Sequence, residues 1–218
     1  MLERNLRELA LRELHKLIVG DYESLAYPLK ELIRDVLGIP PDPLSLVELL
    51  ISLGVPEEKA AAVLNWREFE DLCSRILEGR GYTCLKGFRR AVSGRRMEID
   101  VLAISDRRII LVECKMWSRR TLRFLVNRSR KEVRRKLEML LELISQARRA
   151  EGKVQVIPVI VSWLSVRGDD RGEIAVVPLY KFPQFLDSLD EIIEDIAHKD
   201  LDYRPDLEEL FNLRDELR

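Results

Sequence analysis

Two short apolar runs with ionisable residues set into them constrain this chain more than any other feature. Residues 97–104 read Met-Glu-Ile-Asp-Val-Leu-Ala-Ile, and residues 109–115 read Ile-Ile-Leu-Val-Glu-Cys-Lys. Both are rich in Ile and Val, so both predict buried strands. Asp106-Arg107-Arg108 between them predicts a tight hairpin turn. Side chains two apart on a strand point to the same face, so Glu113 and Lys115 share one, about 6.6 Å apart along the strand. Glu98 and Asp100 share a face on the neighbouring strand, and pairing across a short turn sets Asp100 beside Glu113.

Charged groups at the ends of buried strands are costly unless something compensates them. Two hard oxygen donors, together with the backbone carbonyl of Cys114, suit Mg²⁺, which keeps most of its waters. Mn²⁺ is the close substitute. Such an ion polarises a phosphate oxygen and lowers the pKa of a bound water. Lys115 beside it is placed to orient that water or to neutralise charge developing on the phosphorus. The plainer alternatives are a direct Glu113–Lys115 salt bridge and an ion pair from Asp100 to Arg95 or Arg96.

The arrangement D-x12-E-x-K resembles the PD-(D/E)XK nuclease superfamily, the restriction-endonuclease-like fold. The likeness extends upstream. Residues 66–82, Trp-Arg-Glu-Phe-Glu-Asp-Leu-Cys-Ser-Arg-Ile-Leu-Glu-Gly-Arg-Gly-Tyr, look like the first core helix of the Mrr-like and archaeal Holliday-junction-resolvase-like branches. The resemblance spans roughly residues 65–180. It implies that Glu70 is the helix glutamate, reaching the metal through a water, that Asp100 is the strand aspartate, and that Glu113 and Lys115 are the E-x-K pair. Ile99 stands where the proline of the family name would be, and no Gly-rich approach precedes the aspartate. The activity implied is metal-dependent endonucleolytic hydrolysis of DNA, leaving 5′-phosphate and 3′-hydroxyl ends. The other reading on the same fold is an inactive nucleic-acid-binding or partner-recruiting protein.

Charge supports a polyanionic partner. The net charge is only −1, but it is strongly polarised along the chain. Residues 65–153 hold 23 Lys and Arg against 12 Asp and Glu, whereas residues 1–64 hold 7 against 11 and residues 154–218 hold 7 against 15. The positive segment is the one that carries the acidic–lysine set, as a phosphate polyanion would require. Within it, Arg89, Arg90, Arg95 and Arg96 flank Ser93-Gly94 and read as a basic loop at the mouth of a cleft. Arg119, Arg120 and Arg123 follow Lys115 and are placed to line the same groove. Arg128, Arg130, Lys131, Arg134, Arg135 and Lys136 crowd the start of a long helix, where cations oppose the helix dipole unless an anion is near; Arg130, Lys131 and Arg134 are the candidates for nucleic-acid contact. Trp117 either stacks on a base or packs beneath the lysine strand.

The cysteines number three and form no C-x-x-C pair, which argues against structural zinc and a disulfide framework. No apolar stretch approaches the ~20 residues of a membrane span, and the first residues lack a signal-peptide hydrophobic region, so a cytoplasmic protein without membrane contact is expected. Charged residues make up 34% of the chain while Asn and Gln number four and three, the pattern reported for hyperthermophile proteins.

The expected organisation has three parts. Residues 1–64 form a small all-helical domain, broken at Gly38–Pro43 and at Gly54–Pro56. Residues 65–181 form an α/β core, a mixed sheet flanked by helices in the order αβββαβ followed by one more strand. Asn65 caps its first helix, Tyr82–Lys86 is its first strand, and Ser129–Ala150 is the crossover helix. Val154–Ser162 is the fourth strand, placed towards an edge because of Pro158, and Ile174–Pro178 is the last. Residues 182–218 form an acidic helical extension, with helices over Phe182–His198 and Leu207–Leu217, suited to a protein partner or to a homodimer contact. A homodimer is also the simplest way to cut two strands with one site per chain.

Overall fold

The structure, a computed structural model, describes residues 2–117, 122–163 and 173–205. The chain divides into two compact units, Met1–Leu72 and Cys73–Arg218. The division falls inside one helix, a short way beyond the expected start of the core at residue 65.

The first unit is helical. It contains α1 (Leu2–Arg12), α2 (Leu14–Ile18), α3 (Leu29–Leu37), α4 (Pro43–Ser52), α5 (Glu57–Ala60) and the beginning of α6 (Trp66–Glu78). Helix α3 starts at Leu29 rather than near Ser24 because Pro28 bars the residue before it from helical backbone. Asp42 caps α4 through a 3.1 Å bond from Ser45 N, and Pro43 takes the first helical position. Asn65 caps α6 as expected. Its Oδ1 accepts from Arg67 N and Glu68 N, and Glu68 Oε2 in return accepts from Asn65 N at 2.7 Å, a reciprocal capping box.

The second unit is α/β, a mixed sheet flanked by helices. Its sheet has the order β1-β2-β3-β5-β6, with β1 Thr83–Val92, β2 Arg95–Ile104, β3 Arg108–Lys115, β5 Val154–Ser162 and β6 Ala175–Pro178. The first three strands are antiparallel neighbours. Helix α7, Leu122–Gln146, then crosses over and returns the chain as β5, parallel to β3, with β6 parallel to β5. The two-residue Arg149–Ala150 strand β4 pairs with β8, Arg204–Pro205. The core lies between the sheet and α7, where Leu102, Ile104, Leu111, Val133, Leu140, Ile144 and Ile160 are all buried. Among the described residues no helix is long and apolar enough to cross a membrane.

Four expectations are corrected. Strand β1 continues from Thr83 to Val92 rather than ending at Lys86, so Arg89 and Arg90 lie on a strand and not in a loop. Ser93 and Gly94, with φ of 48° and 75°, form the two-residue turn whose twist matches the paired strands. The crossover helix begins at Leu122, a full two turns early. Strand β5 is central despite Pro158. Gln155 N and Trp163 N both donate to the β3 side, so odd-numbered residues face β3 and Pro158 faces the other edge. There β7 (Lys199–Leu201) stops pairing at Val156 and β6 starts at Val159. The proline therefore falls in a gap where no donor is needed. The acidic segment after Phe182 is also interrupted. It forms α8 (Phe182–Asp187), α9 (Leu189–Ile192) and a 3-10 turn, because the Ser188 hydroxyl bonds back to Phe185 O and ends the first helix. The helix expected over Leu207–Leu217 lies outside the described residues.

Candidate functional site

Asp100 and Glu113 meet where the β2–β3 ladder ends. The recorded register closes at Val101 opposite Val112, and one further step sets Asp100 opposite Glu113. At that point a side chain takes over from the backbone ladder: Cys114 N donates to Asp100 Oδ2 at 2.7 Å. On the other side of Asp100 the register with β1 places Gly87, whose φ of +56° is left-handed. That break in the pleat turns the hairpin tip toward α7, where the Ser93 hydroxyl donates to the Glu142 carboxylate.

Glu113 is the centre of the cluster. Although it is only 2% exposed, both of its carboxylate oxygens are engaged. Lys115 Nζ donates to Oε1 at 2.5 Å and Lys136 Nζ donates to Oε2 at 2.5 Å. Lys136 comes from α7 and is itself buried, with Glu132 Oε1 3.7 Å away one turn back. Burial, and then the charge of Glu113, push the Asp100 carboxyl up to about 6, against the Cys114 N–H and the two ammonium groups that pull it down. Burial pulls the Lys115 ammonium downward, but Glu113 and Asp100 outweigh it and its pKa is raised. Lys115 therefore stays charged at neutral pH.

A cleft of about 790 Å³ opens beside the pair, between the β1–β2 hairpin and α7. Its lining mixes the acids Glu98, Asp100, Glu113 and Glu132 with the bases Arg89, Arg90, Arg96, Arg135 and Lys136, and both signs come from the hairpin and from α7. The donor set fits a small hard cation. Two carboxylates converge, burial and then the charge of Glu113 raising the Asp100 carboxyl in the absence of a cation, and Mg²⁺ is commonly held by one or two carboxylates plus waters. Among the described residues no group of three or more His, Cys, Asp or Glu side chains is placed to hold a metal ion, so a site built wholly from protein ligands is not present there.

The structure brings some of the expected residues to this place and not others. Asp100, Glu113 and Lys115 are together, with Cys114 backbone between them. Arg89, Arg90 and Arg96 reach the cleft. Arg89 also pairs with Glu98 at 2.7 Å, and the Arg90 guanidinium lies 5.1 Å from the Phe88 ring centre. Arg95 is exposed at the start of β2 and does not line the cleft. Arg130 donates to Ile174 O and Arg134 to Glu173, so this face of α7 turns toward β6 and away from the cleft; Lys131 is exposed on the same helix. Trp117 is corrected: it belongs to the buried core with Val126 and Val133 and does not line the cleft, which is the second of its two readings. Arg119 and Arg120, and the side chain of Arg123, lie outside the described residues. Glu70 is half-buried on α6 within the first unit, whereas Asp100, Glu113, Lys115 and Lys136 all belong to the second. Sequence reasoning placed Lys136 and Arg135 in the cationic run of this helix but did not single them out as the cleft residues. Their only signal was membership of a run of cations, which does not say which one turns inward.

No curated protein matches the chain. Two solved structures resemble it distantly. One, a protein of unknown function called AF1548, is 17% identical with a TM-score of 0.36, over 58% of this chain and 66% of its own. The other, protein VC1899 from Vibrio cholerae, is 16% identical with a TM-score of 0.40, over 88% of this chain and 56% of its own. This chain thus spans less than two thirds of either. A family comparison is more direct: residues 57–163, the stretch that carries Asp100, Glu113, Lys115 and Lys136, match the nuclease-related domain, NERD.

Proposed function

We propose that the chain is a metal-dependent endonuclease that hydrolyses DNA phosphodiester bonds. The observation that carries this reading is the convergence of Asp100 and Glu113 on a cleft that Arg89, Arg90, Arg96 and Arg135 also line, with Lys115 beside Glu113. Asp100, Glu113 and the Cys114 carbonyl would hold Mg²⁺ or Mn²⁺. When bound, the ion supplies Lewis-acid polarisation of the phosphate and a more acidic water. Arg89, Arg90 and Arg96 would grip the phosphates of the strand entering under the hairpin. Lys115 would orient the water or neutralise the oxygen on which charge develops. The Cys114 N–H holds one oxygen of the Asp100 carboxylate, Oδ2, at 2.7 Å. Cutting a duplex or branched substrate on two strands calls for a second site, which a homodimer supplies.

One observation favours a second reading, a nucleic-acid-binding protein without cleavage: both oxygens of Glu113 already carry ammonium partners. A single panel separates the two. Duplex, single-stranded, flap, four-way-junction and methylated DNA are incubated with Mg²⁺, Mn²⁺ or chelator. The nuclease reading expects metal-dependent cleavage by wild type and none by Asp100→Ala or Lys115→Ala. Cleavage unchanged in those variants overturns it. Tight binding with no cleavage in either metal establishes the second reading.

A further inference from the structure

The two ammonium groups on Glu113 are not equivalent. The Lys136 side chain is 6% exposed and rises from a turn of α7 whose neighbours Val133, Leu137 and Leu140 are core. The Lys115 side chain is 24% exposed and sits on the last residue of β3. Lys136 borders the cleft but is packed about by the core, and Lys115 is the more solvent-exposed of the two. The formal charges of the buried group Asp100, Glu113, Lys115 and Lys136 balance, and Glu132, 3.7 Å from Lys136, is 42% exposed and screened by water. A divalent cation added to this pocket would leave two uncompensated positive charges where burial makes them expensive. If one ammonium moves out to water, a single excess charge remains, and one phosphodiester neutralises it.

We propose that Lys115 is the displaceable counter-ion of Glu113 and Lys136 the fixed one. Lys115 gives up Oε1 to the cation. Lys136 keeps Oε2 and holds the carboxylate plane, which makes it a positioning residue. Once released, the Lys115 ammonium is solvated at the edge of the site, with its donors free for water or an arriving phosphate. The ammonium is therefore withheld from the substrate until the site is loaded. This rests on the reading of Asp100 and Glu113 as metal ligands.

The test is Mn²⁺ binding in the absence of DNA, read by electron paramagnetic resonance of the free ion. It compares wild type, Lys115→Met, Lys136→Met, Lys136→Arg and Asp100→Ala. Removing either ammonium deletes the same charge from the same carboxylate, so electrostatics alone tightens binding in both. The proposal expects opposite signs. Lys115→Met binds at least about tenfold tighter because the ammonium that competes with the ion is gone. Lys136→Met binds more weakly than wild type despite its missing charge, and Lys136→Arg returns toward wild type. Equal tightening in the two methionine variants overturns the division of roles. Lys115→Met binding no tighter than wild type overturns the displacement, even if Lys136→Met does not fold. Wild type that binds Mn²⁺ no better than Asp100→Ala overturns the metal reading and this inference together.

Discussion

Glu98 and Glu113 are both strand glutamates with cationic partners, on adjacent strands of one sheet, and they live in opposite dielectric settings. Glu98 pairs with Arg89 at 2.7 Å with both side chains more than half exposed. The Arg89 hydrogen bond holds its carboxyl below the usual range, but water screens such a pair and its contribution to stability is about 0–1 kcal/mol. Glu113 is 2% exposed and bridges two ammonium groups. A buried pair of that kind contributes little over an apolar replacement, but breaking it strands a charge. The lesson is that the same residue type makes a water-screened ion pair at the rim and a buried counter-ion at the floor, according to depth.

The difference shows most strongly at the floor. Glu113→Ala leaves the Lys136 ammonium buried without its 2.5 Å partner, and a loss of about 3–5 kcal/mol is expected from urea unfolding. Glu98→Ala in the same assay costs under about 1 kcal/mol. Equal losses would show that Lys136 reaches Glu132 and that depth is not what separates the two sites.

Asp100 gives the next effect. Its carboxyl is raised from 3.8 to about 6 by burial first and the Glu113 charge second. Between those values the folded protein keeps a proton that the unfolded chain has released. Stability from this group therefore falls as pH rises through the window, by up to about 3 kcal/mol. Asparagine keeps an acceptor for Cys114 N–H and cannot ionise. Asp100→Asn should be the more stable protein above pH 6, by up to about 3 kcal/mol, with the gap closing near pH 4. Melting curves of the two proteins in chelator from pH 4 to 8 check this. Parallel curves would place the strain elsewhere.

Much of this floor is legible in the chain itself. The Ile- and Val-rich runs around Asp100 and Glu113, the short turn between them and the period-2 rule together set the acids side by side. The Asn65 cap and the apolar stripe of α7 do the same for the flanking helices, and the length of α7 makes β5 parallel to β3. Lys136 is different. It is one of six cations within nine residues, 128 to 136, and only the docking of α7 on β3 decides which of them is buried. Trp117 fails for a related reason, since one aromatic residue carries the same signal whether it stacks outward or fills a core. Gly87 reads as the end of the first strand, and the pairing with β2 carries Arg89 and Arg90 on past it. Strand β7 is three largely polar residues that extend only because β5 offers an open edge.

The smallest stability effect belongs to the rim, and there it separates folding from binding. Arg89 lines the cleft, and Arg134, equally basic and also ion-paired on the surface, turns to Glu173 on the far side of α7. Arg89→Ala and Arg134→Ala should each change unfolding free energy by within about 0.5 kcal/mol. Their effects on DNA binding should diverge. Removing one phosphate-binding cation from the cleft lowers affinity across sequences and reduces the slope of log K against log salt by about 1. Arg89→Ala should show that change in a fluorescence-anisotropy titration at several salt concentrations, and Arg134→Ala should retain the wild-type slope. If Arg134→Ala loses the slope and Arg89→Ala keeps it, the nucleic acid runs along the β6 side of the helix, and the acids between the hairpin and α7 face away from it.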